Sequence, residues 1–263
     1  MSGLSIFASL NSVLGRHERM TIGALALITL VAAIYTVMGI GMDMSAWEMT
    51  GMPSDMPMPV HAWSAIDAFM MFLMWWIMMI AMMLPSAAPM ILLYLRVGQR
   101  RDQRVNSPSP GYFCFGYLAM WGAFSLGATL LHAVGEQVHV INGMMAITGH
   151  GIAGSIFILA GLWQFFPLKS RCLEACRQPV QFLSKIWASG RMGALRMGLC
   201  HGLFCVGCCW AMMLLLFVGG VMNLYWIAGL AVLALIEKIA SRWRYTPHAI
   251  GSGFMMMGGL MLV

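Results

Sequence analysis

The sequence predicts an all-α, polytopic membrane helix bundle of about seven transmembrane helices with a cytoplasmic N-terminus. Three observations carry that expectation. Charged residues are 9% of the 263, against roughly 25% in ordinary globular domains, so a water-soluble fold has too little polar surface to cover itself. Uncharged apolar stretches of spanning length recur along the chain. All 15 Lys and Arg then fall on one side of the resulting topology, as the positive-inside rule requires. The same composition excludes an ordinary soluble enzyme, a disordered tail and a disulfide-stapled secreted module.

The first span, 20–42, is the uncharged stretch between Arg19 and Asp43. At 1.5 Å per residue it crosses a hydrocarbon core. It is too long for a signal-peptide core and lacks a small-residue cleavage site, so it reads as a retained helix. The second, 66–95, ends at Arg96, and Pro85 and Pro89 are expected to break its helix. The third, 112–134, starts after the breaker run Ser107-Pro-Ser-Pro-Gly111. The fourth is 150–168. Residues 197–236 carry no charge and are too many for one span, and Gly219-Gly220 with Asn223 mark a turn between the fifth, 197–218, and the sixth, 222–239. The seventh, 246–263, runs to the end.

The inner loops are then 1–20, 96–111, 168–196 and 238–247, and they hold every basic residue. The outer side keeps Asp43, Glu48, Asp55, Asp67 and Glu136 without a Lys or Arg. The net charge of +6 therefore reads as topology and contact with membrane lipid, not nucleic-acid binding. The chain is expected to be a single transmembrane domain, 1–263, with a Met-rich outer loop 43–65 and its C-terminus outside. No fixed-period repeat, P-loop or dinucleotide fingerprint is present.

All seven cysteines lie in inner loops or in helices that start from the inner face, which argues for reduced thiols rather than a disulfide framework. The densest chemistry is Cys200-His201-Gly-Leu-Phe-Cys205-Val-Gly-Cys208-Cys209-Trp210. Spacings of 3 and 4 put His201, Cys205, Cys208 and Cys209 on one helical stripe, with Cys205 about 12 Å into a core of about 30 Å. Thiolate and imidazole donors suit a soft metal ion, copper(I) before zinc or iron. The plainer reading is that Cys packs well in buried helices. Glu237, near the inner end of the sixth span and at roughly the depth of His201, is a second metal-site candidate or counter-charge, unless it simply sits at the interface beside Lys238. Cys172 and Cys176, four apart in the basic inner loop, form a candidate exchange point for metal, with packing as the alternative.

The outer loop holds Met42, Met44, Met49, Met52, Met56 and Met58 with His61 in a Pro-rich setting. Thioethers there suit Cu(I) capture and are not expected to pack a core. In the second span Met71, Met74, Met78 and Met82 form one stripe, with Met70, Met79 and Met83 beside it. Met78 and Met82 are candidate relay ligands, although such stripes are often packing. At the outer end of the third span, His132, Glu136 and His139 carry a Glu-x-x-His pattern, and His150 is placed to join a second, harder outer site.

Ala81-Met-Met-Leu-Pro85 with Pro89, Pro167-Leu-Lys with Cys172 and Cys176-Arg, Cys205-Val-Gly-Cys-Cys-Trp210, Gly220-Val-Met-Asn223 and Glu237-Lys238 together resemble a family of bacterial predicted metal-binding integral membrane proteins. That resemblance implies a multi-pass protein of the bacterial inner (plasma) membrane that binds metal. The combined expectation is soft-metal transport, delivery or homeostasis, without assigned catalytic residues, and with a metallochaperone or a larger membrane complex as partner. Its rivals are a membrane thiol oxidoreductase cycling Cys205 and Cys208, and an accessory subunit docking through the small-residue face Gly198-x-x-x-Gly202.

Overall fold

A computed structural model describes residues 15–40, 44–52, 63–101, 110–239 and 245–263, and every regular element among them is a helix. These are α1 Arg16–Met38, α2 Ala46–Gly51, α3 Ala65–Arg101, α4 Pro110–Gln137, α5 His150–Phe165 and α6 Pro167–Arg177. They continue with α7 Pro179–Ile186, α8 Gly190–Leu214, α9 Leu216–Gly219, α10 Leu224–Ile239 and α11 Thr246–Leu262. Four are long and apolar enough to cross a membrane: α1, α3, α4, and α8 with its continuation α9. α5 and α6 form a pair bent by 67°. α10 and α11 are shorter, at 16 and 17 residues.

Local chemistry moves several boundaries away from the charge pattern. α1 stops at Met38, ahead of the end of its uncharged stretch, because Gly39 takes the left-handed conformation (φ 61°) and caps the helix. Ser45 and Glu48 form a reciprocal capping box that starts α2 inside the expected outer loop. α2 then docks on α10, where the Leu224 N–H donates to Thr50 Oγ1 at 2.9 Å. Met49 is buried, and Met44 and Met52 pack against the core. The expectation that the outer-loop methionines avoid the core is corrected for these three. Met42, Met56, Met58 and His61 lie outside the described residues.

The expected break at Pro85 and Pro89 is also corrected, since α3 runs through both. The two rings sit on exposed positions. Within the disturbed turn the Met83 carbonyl accepts from Ser86 Oγ at 2.7 Å and from the Tyr117 hydroxyl at 3.1 Å. These hydroxyls add backbone bonds in the same turn, and side-chain and neighbouring-helix contacts of this kind accompany proline in apolar helices. The expected inner loop 168–196 proves to be helical too. α6 and α7 each begin with a proline at the first turn, Pro167 and Pro179, where its missing N–H costs nothing.

Helix pairs approach closely where glycines face backbone. A Cβ on Gly198 of α8 would run into the Phe113 carbonyl of α4, and one on Gly202 would come 3.0 Å from the Tyr117 carbonyl. The small-residue face proposed for an accessory-subunit contact is therefore used inside the chain, which corrects that route to a partner. Phe113, Tyr117, Trp121 and Trp75 fill the interior between α3, α4 and α8. The outward faces are apolar instead of polar: Leu27, Leu130, Leu159 and Leu260 are each more than half exposed. Such a surface is compatible with a membrane location.

Candidate metal centre

The helical period of α8 turns His201, Cys205, Cys208 and Cys209 to the interior, and all four are buried, the three thiols to 1% exposure. Cys205 sits at the convergence of several helices. Its Sγ lies 3.1 Å from the Tyr117 hydroxyl of α4 and 3.1 Å from Lys238 Nζ of α10. Lys238 also donates to Ser86 Oγ of α3 at 2.8 Å and lies 3.6 Å from Met83 Sδ. From α6, the Cys176 thiol reaches both Cys205 and Cys208. Cys172, one helical turn earlier, packs on Gly207, where a Cβ would come 2.9 Å from its Sγ. Cys172 and Cys176 are thus part of the α8 thiol cluster. The expected loop that carries them is the helix α6, which brings them against α8.

All seven cysteines are free. Cys208 and Cys209 donate to the Cys205 carbonyl at 3.1 and 2.8 Å, with their sulfurs 3.8 Å apart. Among the described residues no group of three His, Cys, Asp or Glu side chains stands ready to hold a metal ion. The donors nevertheless fit a soft ion. Thiols folded back onto their own helix need only a rotamer change to turn inward, and thiol and thioether sulfur favour Cu(I). His201 adds a second sign. Its ring lies 5.5 Å from those of Tyr117 and Phe182, and its Nδ1 is buried without a hydrogen-bond partner among the described residues. An orphaned buried polar atom is costly unless something satisfies it.

Glu237 takes a different role from the one expected. Lys169 of α6 donates to both of its carboxylate oxygens, at 2.8 and 2.7 Å, and also bonds the Gln164 side chain. Arg177 Nε donates to the Glu237 carbonyl at 2.7 Å. Glu237 therefore clamps α6 to α10, and its charge is matched by Lys169 instead of serving His201. Its neighbour Lys238 is the residue that reaches the thiols. The signal for it was present in the sequence, as a second charge beside Glu237 at membrane depth. Met78 and Met82 are buried in the core, but the sulfur beside Lys238 and Cys205 belongs to Met83.

Near the C-terminal end of α4, His132 is fully buried with its Nε2 3.3 Å from Glu136 Oε1. Trp63 Nε1 donates to Glu136 Oε2 at 2.6 Å. Neither ring nitrogen of His132 makes a hydrogen bond among the described residues. α4 ends at Gln137, and the N–H groups of Val140 and Ile141 fold back onto the Gly135 carbonyl. His139 falls beyond that end with φ 57° and is exposed, as is His150 at the start of α5. The expected outer quartet is therefore reduced to the pair His132 and Glu136.

A family model described as a copper chaperone, PpoB2, matches residues 72–261, from α3 to α11. No curated protein and no solved structure matches the chain.

Proposed function

The chain belongs to the PpoB2 copper chaperone family, and we propose that it captures Cu(I) on sulfur inside a membrane bundle and passes it to a protein partner. The observation that carries this reading is the buried Cys205, Cys208 and Cys209 of α8, with the last two sulfurs 3.8 Å apart and Met83 Sδ meeting the same Lys238 head as Cys205. Copper here is cargo, so binding and release matter more than a rigid ligand cage. Donors that must rotate to coordinate suit a delivery protein better than a permanent site. In this reading Met42, Met56 and Met58 gather the ion, Met83 lies on its way to the thiols, and His201 accepts it beside them. Cys172 and Cys176 of α6 present it toward a metallochaperone or a membrane-complex partner.

The proposed topology is seven spans in the bacterial inner membrane: α1, α3, α4, α5, α8 with α9, α10 and α11, with the N-terminus cytoplasmic. The one-sided placement of Lys and Arg supports it. The shorter α10 and α11 are within what local bilayer thinning accommodates. The test is an anaerobic Cu(I) titration of detergent-purified protein against a chromophoric chelator. Wild type is expected to bind Cu(I), and Cys205→Ser/Cys208→Ser/Cys209→Ser to lose it. No binding by wild type would overturn the reading.

A second reading, thiol oxidoreduction, gains from Lys238 at 3.1 Å from Cys205, the electropositive neighbour that a reactive thiol needs. The 1% exposure of Cys205 counts against it. A shift in mobility between oxidised and reduced protein after thiol blocking, abolished in Cys205→Ser, would favour this second reading.

A further inference from the structure

Lys238 is the one cationic side chain that touches a thiol of the cluster among the described hydrogen bonds. Its Nζ lies 3.1 Å from Cys205 Sγ, 3.6 Å from Met83 Sδ and 2.8 Å from Ser86 Oγ. Two soft sulfur donors and a hydroxyl oxygen, from α8 and α3, thus converge on a single positive head. The two sulfurs are unusual partners for an ammonium and ordinary ones for a soft monovalent ion. A lysine is also an expensive residue to hold at this depth. Its neighbour Glu237 is turned to Lys169, so the helix clamp does not require Lys238. We infer that Lys238 is a tethered cation that competes with Cu(I) for the Cys205–Met83 donor pair and so sets how readily the protein releases its cargo.

The mechanism follows from charge and reach. Two positive charges cannot share a donor pair a few ångström across without strong repulsion at protein dielectric, so an arriving ion must displace the ammonium. Lys238 is the penultimate residue of α10, and its four-carbon stem lets the head swing toward the inner interface, as lysines near helix ends do. When the ion leaves, the ammonium returns to Cys205 and Met83 and blocks recapture. A delivery protein gains from such a device because affinity without release would make it a trap. The inference rests on the Cu(I) reading above and specifies how that same site is regulated.

The test is the anaerobic Cu(I) competition titration on full-length protein in detergent, comparing wild type, Lys238→Gln and Lys238→Arg. Gln removes the charge and keeps a donor for Ser86. Lys238→Gln is expected to tighten binding about tenfold or more, as loss of a like charge at this range implies. Lys238→Arg keeps the charge and is expected to bind no tighter than wild type. A lysine serving only to support the fold would instead weaken binding in both variants. If wild type binds and Lys238→Gln binds equally or more weakly, the competitor role is overturned while the Cu(I) reading stands. If neither binds, both fail. Should Lys238→Gln not fold, Lys238→Met takes its place as a neutral side chain of similar length: tighter binding than wild type supports the inference, and equal or weaker binding overturns it.

Discussion

The thiol cluster and the outer His132–Glu136 pair are both polar groups buried in an apolar bundle, yet they are built differently. The cluster draws on α3, α4, α6, α8 and α10, and its sulfurs and cations have partners on other helices. The outer pair stands on α4 alone, braced by Trp63, with two imidazole nitrogens lacking hydrogen bonds among the described residues. Many helices around soft donors make a place where an ion can be held and exchanged. Two residues on one helix make at most a weak foothold. On the proposed function copper handling falls to the thiol cluster, and substitutions in the two regions should behave differently.

The largest contrast should come from the ion pair that supports the cluster. Lys169→Ala leaves Glu237 charged and buried without its partner, which costs about 3–5 kcal/mol, and a large drop in thermal stability in detergent is the expected readout. No change there would mean that the α6–α10 clamp does not hold the cluster together. The outer pair should respond in the opposite direction. His132→Phe removes an imidazole whose nitrogens are unsatisfied and is expected to leave the protein as stable or to stabilise it by about 1–3 kcal/mol. Loss of a bound metal equivalent in this variant would instead show that the outer pair is a site.

Gly207→Ala sharpens the comparison on the cluster side. The new methyl would meet Cys172 Sγ at 2.9 Å and push a flexible side chain, at a cost of about 1–2 kcal/mol. Faster alkylation of Cys172 than in wild type is the accompanying expectation, and unchanged labelling would argue against the α6–α8 contact. The smallest effect belongs to the ion pair that joins α1 to α3. Arg96 Nε donates to Glu18 Oε1 at 2.5 Å. The pair needs a charged carboxylate, so its stabilisation is present at neutral pH and lost as Glu18 takes up a proton in acid. Glu18→Gln should cost about 0.5–1 kcal/mol at neutral pH, a difference from wild type that vanishes in acid.

Much of this was legible in the chain itself, and the rest was hidden for definable reasons. The spacing of His201, Cys205, Cys208 and Cys209 is a property of one helix, so the period of 3.6 revealed it. The turn at Gly220 and Asn223 is equally local: Gly220 takes φ 86°, and Asn223 Oδ1 accepts from the Tyr225 and Trp226 N–H groups. What distance along the chain concealed was tertiary. Cys176 meets Cys205 only because Pro167 bends α6 back along α8, and Lys238 points at Cys205 while Glu237 points at Lys169 because adjacent helical residues diverge by about 100°. Charge gaps misled where local capping prevailed, as with Ser45–Glu48 in the expected outer loop, and the prolines misled because α3 runs through both Pro85 and Pro89.

The ligands around copper test the central claim most directly. X-ray absorption at the copper edge, on anaerobic protein loaded with one equivalent of Cu(I) in detergent, is expected to show sulfur scatterers dominating the coordination shell. They should disappear in Cys205→Ser/Cys208→Ser/Cys209→Ser and persist in His132→Phe. A shell dominated by nitrogen and oxygen, lost in His132→Phe and unchanged in the cysteine variant, would contradict capture by the buried thiols.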